Sequence, residues 1–118
     1  MARFDDWTFP HEDLLVYQDA CAFVKAVLRL RWPSGHAELK RQLTRAALSI
    51  SLNICEGRSH IFAGNAGKNY YRIALGSAAE CHGALHMLGL IRGRELREET
   101  LLLRAIGARL TGLLRQAA

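Results

Sequence analysis

Between Leu43 and Gly57 the chain reads Leu-Thr-Arg-Ala-Ala-Leu-Ser-Ile-Ser-Leu-Asn-Ile-Cys-Glu-Gly. Leu43, Ala46, Ala47, Ile50 and Ile54 recur at helical spacing and mark one apolar face. Arg45, Ser49, Asn53 and Glu56 sit on or beside that face. A later segment, Ala74-Leu-Gly-Ser-Ala-Ala-Glu80, answers it with small residues, a hydroxyl and a carboxylate. Polar groups drawn out of water must find hydrogen-bond partners. Two helices built this way are expected to lie side by side and share them.

The rest of the chain is punctuated around that pair. Residues 1 to 11 read as an irregular lead-in whose Phe4, Trp7 and Phe9 are expected to pack back onto the body of the protein. Asp13 is a candidate N-cap for a first helix over 13–31, with Val16, Tyr17, Ala20, Phe23, Val24, Val27 and Leu28 on a wide apolar arc. Trp32-Pro-Ser-Gly breaks the pattern, and Ser34 is a candidate cap for a second helix over 36–56. Gly57 suits the left-handed position that ends many helices. A loop over 58–67, containing Gly64 and Gly67, leads to a third helix over 68–91 that Gly93 closes. The fourth helix, 95–116, has Glu95, Glu98 and Glu99 at its start and Arg115 at its end, complementing the helix dipole. Leu96, Leu103, Ile106, Leu110 and Leu113 form its seam.

The whole is expected to be all-α, one domain over 1–118, folded as an antiparallel up-down four-helix bundle. Valine is scarce and strict alternation is absent, which argues against a sheet. With 118 residues, half of them hydrophobic, the chain can bury a substantial core. No apolar run reaches the length of a membrane span, and the acidic N-terminus lacks the apolar core of a signal peptide, so a cytoplasmic location is expected. Cys21, Cys55 and Cys81 fall in apolar helical segments without a C-x-x-C pair, which reads as buried thiols rather than a disulfide framework. The net charge of +5, from thirteen arginines and three lysines against eleven acids, tolerates a polyanionic partner without demanding one.

The helical hairpin also sets a register. With the turn centred near residue 62, Arg45 faces Glu80, Ser49 faces the neighbourhood of Ser77, and Asn53 faces Arg72 and Ile73. Arg45, Ser49, Asn53, Glu56, Ser77 and Glu80 thus form an expected inter-helix network, in which breaking a buried Arg45–Glu80 pair costs about 3–5 kcal/mol. Gly76, Ala79 and Gly83 are read as a strip of small residues that lets the helices close up.

At these residues the sequence resembles a known family, the four-helix bundle proteins encoded in intervening sequences of bacterial 23S ribosomal RNA genes. The resemblance rests on Val16-Tyr17-Gln18-Asp19-Ala20, on Trp32-Pro33, and on the core pattern Q-L-x-R-A-x-x-S-I-x-x-N-I-x-E-G running from Gln42 to Gly57. A second block, A-x-G-S-x-x-E, is matched by Ala74, Gly76, Ser77 and Glu80. The resemblance covers about residues 14 to 115. It implies a bundle that assembles as a ring, typically a homopentamer, with no catalytic residues assigned. Distant bundle relatives bind nucleic acid as accessory proteins to reverse transcriptases. After Gly57 the pattern usually continues with small and basic residues, whereas here Ser59-His60-Ile61-Phe62-Ala63 is more apolar.

Candidate chemistry is sparse. His82 and His86 share a helical face, with Glu80 and Cys81 nearby, but a zinc site needs further ligands, so no metal and no cofactor is expected. Gly64-Asn-Ala-Gly-Lys68 fails as a phosphate loop, because Phe62 and Asn69 stand where glycine and a hydroxyl residue belong. Neither Ser49 nor Ser77 has a nucleophile elbow or a paired base, and Glu56 and Glu80 read better as hydrogen-bonded carboxylates than as an acid/base pair. No enzyme activity is expected. Arg97, Arg104 and Arg115 fall on one stripe of the fourth helix, and Arg92 and Arg94 join them at the preceding turn. These five form either a solvated face or a phosphate-contacting surface repeated by a ring's symmetry.

The expectation is a non-enzymatic, ring-forming bundle that binds RNA or DNA, or serves as accessory to a nucleic-acid enzyme such as a reverse transcriptase. The alternative is a structural or protein-interaction scaffold with no nucleic-acid role. Apolar surface on the first and third helices beyond what one bundle buries points to a homo-oligomer.

Overall fold

The structure is a computed structural model that describes residues 4–60 and 65–116. Four helices run in order: α1 (Leu15–Leu28), α2 (Ala37–Ser59), α3 (Ala66–Arg92) and α4 (Arg97–Arg115). Each packs on its sequence neighbours, and α1 closes the square against α4. Among the described residues there is no strand, and no helix is long and apolar enough to cross a membrane.

The apolar faces read from sequence form the core. On α2, Leu43, Ala46, Ala47, Ile50 and Ile54 are buried, and on α4 so are Leu103, Ile106 and Leu110, with Leu96 just before its first turn. Phe23 of α1 and Leu85 and Leu88 of α3 fill the centre. Burying a side chain of this size contributes about 1.5–3 kcal/mol. Alanine on α2 and on α3 (Ala74, Ala78, Ala84) keeps that pair of helices close. The contacts Arg45–Glu80 and Ser49–Ser77 run in opposite chain directions, so α2 and α3 are antiparallel. So are α3 and α4, where Lys68 near the start of α3 donates to the Gln116 carbonyl after the end of α4. Asp19 and Arg109 form an ion pair between α1 and α4 that the sequence reading did not foresee.

Several boundaries differ from expectation. Asp13 does not cap α1, which begins at Leu15 after turns closed by Glu12 N–H to Phe9 O and Leu14 N–H to His11 O. The helix ends at Leu28, ahead of Trp32-Pro33, where proline disfavours helical backbone in the residue before it. Ser34 does not cap α2; His36 takes that place, after Gly35 at φ 90°. Gly57 does not end α2 either, since the helix continues to Ser59. Its bare Cα is needed for packing instead. A Cβ on Gly57 would lie 2.5 Å from the Tyr71 ring, and one on Gly67 would lie 2.4 Å from the Gly57 carbonyl oxygen. The close approach of α2 and α3 is therefore at Gly57 and Gly67, not at Gly76 and Gly83, which are exposed and meet nothing within 4 Å. Gly93 does close α3, at φ 74°, with Arg94 N–H bonded back to the Gly89 carbonyl at 3.0 Å. That left-handed turn folds α4 back along α3.

The lead-in does not pack onto the core. Phe4, Trp7 and Phe9 are exposed and Leu28 points outward. Trp7 meets Phe9 edge-on at 4.6 Å, Phe9 stacks on His11 at 5.9 Å, and His11 meets Tyr17 at 4.6 Å. Arg58 Nε anchors the segment by donating to the Pro10 carbonyl at 3.3 Å. Ile61, Phe62, Ala63 and Gly64, part of the expected loop, lie outside the described residues.

Candidate nucleic-acid interface

Two surfaces carry the residues singled out in the sequence. The first is the outer face of the α2–α3 pair. Ser49 Oγ and Ser77 Oγ lie 2.8 Å apart, and Asn53 Nδ2 donates to the Ser49 carbonyl at 2.8 Å and to Ser49 Oγ at 3.1 Å. Arg45 donates to Glu80 at 3.2 Å. Asn53 thus completes a hydrogen-bonded relay from α2 to α3, through Ser49, rather than reaching Arg72 or Ile73 itself. Arg72 binds Asn69 on its own helix. Glu56 stands apart from the network, 4.0 Å from His60.

This face is wetter than the sequence implied. The Arg45 side chain is 71% exposed and that of Glu80 48%. The pair is thus a surface ion pair rather than a buried one, and such pairs contribute up to about 1 kcal/mol. Beside it, a groove of about 700 Å³ runs along α2 between Lys40, Arg41, Arg45, Leu48 and Leu52. Ile73 and Met87 add further exposed apolar surface on α3.

The second surface lies at the α3–α4 turn. Arg94, Arg97 and Arg104 are exposed and line one groove of about 780 Å³ together with His82 and His86 of α3. Helical geometry explains the grouping. His82 and His86 lie one turn apart, as do Arg97 and Leu101, and the turn at Gly93 sets the two faces against each other. Glu95 is the one carboxylate in the lining. Arg92 and Arg115 are not part of it: Arg92 is half-buried at the end of α3, and Arg115 lies roughly 16 Å further along α4 than Arg104 at 1.5 Å per residue. The five arginines therefore do not make one continuous patch.

Sequence reasoning missed two members of this groove, Leu90 and Leu101, both exposed. A signal was present for Leu101, which lies off the seam of Leu96, Leu103, Ile106, Leu110 and Leu113. It weighed His82 and His86 as metal ligands or as helix histidines near an interface, not as part of a basic groove. Among the described residues no three His, Cys, Asp or Glu side chains gather in a way that could hold a metal ion.

The titratable groups inside the bundle are held neutral. Burial, and less strongly the Glu80 charge, push the Cys81 thiol up to about 12. The Cys21 thiol beside it, and then burial, push the Tyr17 phenol up to about 12. Cys55 is likewise raised by burial. A thiol this weakly acidic supplies almost no thiolate near neutrality, so none of these is poised as a nucleophile. Cys21 and Cys55 are half-buried, not fully enclosed as expected.

No curated protein and no solved structure matches the chain. A family model, described as 23S rRNA-intervening sequence protein, matches residues 12–111. That span takes in all of α1, α2 and α3, the α3–α4 turn and most of α4, and so includes both surfaces. The chain belongs to the 23S rRNA-intervening sequence protein family.

Proposed function

We propose that this protein is a non-enzymatic, ring-forming helical bundle that binds structured RNA or DNA through phosphate contacts, acting alone or as accessory to a nucleic-acid enzyme. The observation that carries the reading is the groove at the α3–α4 turn, where three arginines and two histidines stand against one carboxylate. Such a lining attracts phosphate groups without discriminating among base sequences. A net charge of +5 adds long-range attraction for polyanions. Assembly would use the α2–α3 face, where Leu48, Leu52, Ile73 and Met87 are exposed beside the Ser49–Ser77 bond. Exposed apolar side chains of this kind suit an interface between copies, and ring symmetry would repeat the basic groove around the assembly. A homopentamer is the arrangement proposed, in the cytoplasm, without cofactor.

Two measurements test this. Fluorescence anisotropy with a labelled RNA duplex at low salt should show binding that weakens steeply as salt is added. Light scattering at micromolar concentration should give a closed oligomer. A monomer would remove the ring. The exposed apolar α2–α3 face also favours a second reading, a scaffold for protein partners alone, which prevails if no RNA or DNA binds at low salt.

A further inference from the structure

The groove at the α3–α4 turn contains more than a phosphate-binding surface requires. Leu90 is 64% exposed and Leu101 50% exposed, and both line it. Exposed leucines flanked by cations suit a ligand that is apolar and flat in one part and anionic in another. Building on the nucleic-acid reading above, we propose that this groove holds an unpaired nucleotide of a structured RNA. The base packs against Leu90 and Leu101 and the imidazoles of His82 and His86, and its flanking phosphates lie on Arg94, Arg97 and Arg104.

A paired base offers such a pocket nothing, because both its faces are covered by neighbours and the A-form major groove is too narrow for side chains to enter. A base splayed from a bulge or loop exposes its face, and histidine rings are among the side chains that stack on it. The volume agrees, since about 780 Å³ lies within the roughly 300–1,000 Å³ of small-ligand sites. The path of the strand also continues. His82 and Arg104 line a second groove of about 410 Å³ that runs on between α3 and α4 past Gly107 and Thr111.

The test uses the full chain and two labelled RNA hairpins of equal length, one fully paired in its stem and one with a short unpaired bulge. The wild type should bind the bulged hairpin about tenfold more tightly, the order of effect that stacking one base produces. His82→Ala with His86→Ala should weaken the preference by removing the rings on which the base stacks. Leu90→Ser with Leu101→Ser should abolish the preference without changing the charge of the groove. All four residues are exposed, so helicity by circular dichroism should persist. Equal binding of the two hairpins, or a preference that survives both double variants, overturns the proposal while leaving general nucleic-acid binding intact. Capture of an acidic, leucine-containing peptide in place of either hairpin assigns the groove to a protein partner and also overturns it. Failure of both hairpins to bind at low salt removes the nucleic-acid reading and this proposal together.

Discussion

Ser49 of α2 and Ser77 of α3 place their hydroxyl oxygens 2.8 Å apart, and Asn53 donates to the same Ser49 oxygen at 3.1 Å. Ser49 is thus the shared member of the relay, and its loss should cost more than the loss of Ser77. Ser49→Ala should destabilise by about 1–2 kcal/mol and Ser77→Ala by about 0.5–1.5 kcal/mol. A double-mutant cycle read by urea denaturation should show the double variant losing less than the sum.

The neighbouring Arg45–Glu80 pair should behave differently, because both side chains are largely in water. In the bundle diluted to monomer, Glu80→Gln and Arg45→Met should each lower stability by less than about 1 kcal/mol, and the coupling between them should fade as salt rises. Melting curves at low and high salt measure this directly. A coupling of several kcal/mol that ignores salt would mean the pair is buried in an assembly.

Glycine substitutions should separate packing from propensity. Gly67→Ala puts a methyl group against the Gly57 carbonyl, a backbone atom that cannot swing aside, and should cost about 1–3 kcal/mol. Gly76→Ala, in open space on the same helix, should stabilise by about 0.5–1 kcal/mol through helix propensity. Thermal denaturation of the two variants side by side tests the placement of the close approach.

Cys81 sets an alkaline limit. Its folded thiol is raised from 9.0 to about 12, so the stabilising effect is complete below the unfolded value and is lost as pH rises from there through about 12. Each pH unit in that window should remove on the order of 1 kcal/mol. Melting temperature should therefore fall more steeply from about pH 9 to about pH 11 in the wild type than in Cys81→Ala. Tyr17, raised to about 12, contributes equally to both proteins.

The sequence disclosed what depends on helical periodicity and on hairpin register. The buried face of α2 and the contacts Arg45–Glu80 and Ser49–Ser77 follow from spacing alone. Where a local signal competed with tertiary packing, packing won. Gly57 looks like a helix terminator, yet its value is the space it leaves for Tyr71 and Gly67. Gly76 and Gly83 look like a packing strip but face outward, because helical phase alone does not say which of two faces meets the neighbour. The groove was legible only in pieces. Its arginines and histidines lie on two helices, and the turn at Gly93 that brings them together is a three-dimensional fact.

If the arginines of the α3–α4 groove hold phosphates, reversing their charge should change how binding responds to salt. Wild type and an Arg97→Glu/Arg104→Glu variant are titrated into labelled RNA by fluorescence anisotropy at several salt concentrations. The log–log slope of affinity against salt should be negative, about −0.7 per phosphate neutralised on a single strand and steeper on a duplex, whose charge density is higher. The variant should lose affinity and slope together while its circular dichroism spectrum is unchanged. Binding by the variant at an unchanged slope would contradict the account and move the contact to another basic surface, such as Lys40 and Arg41 on α2.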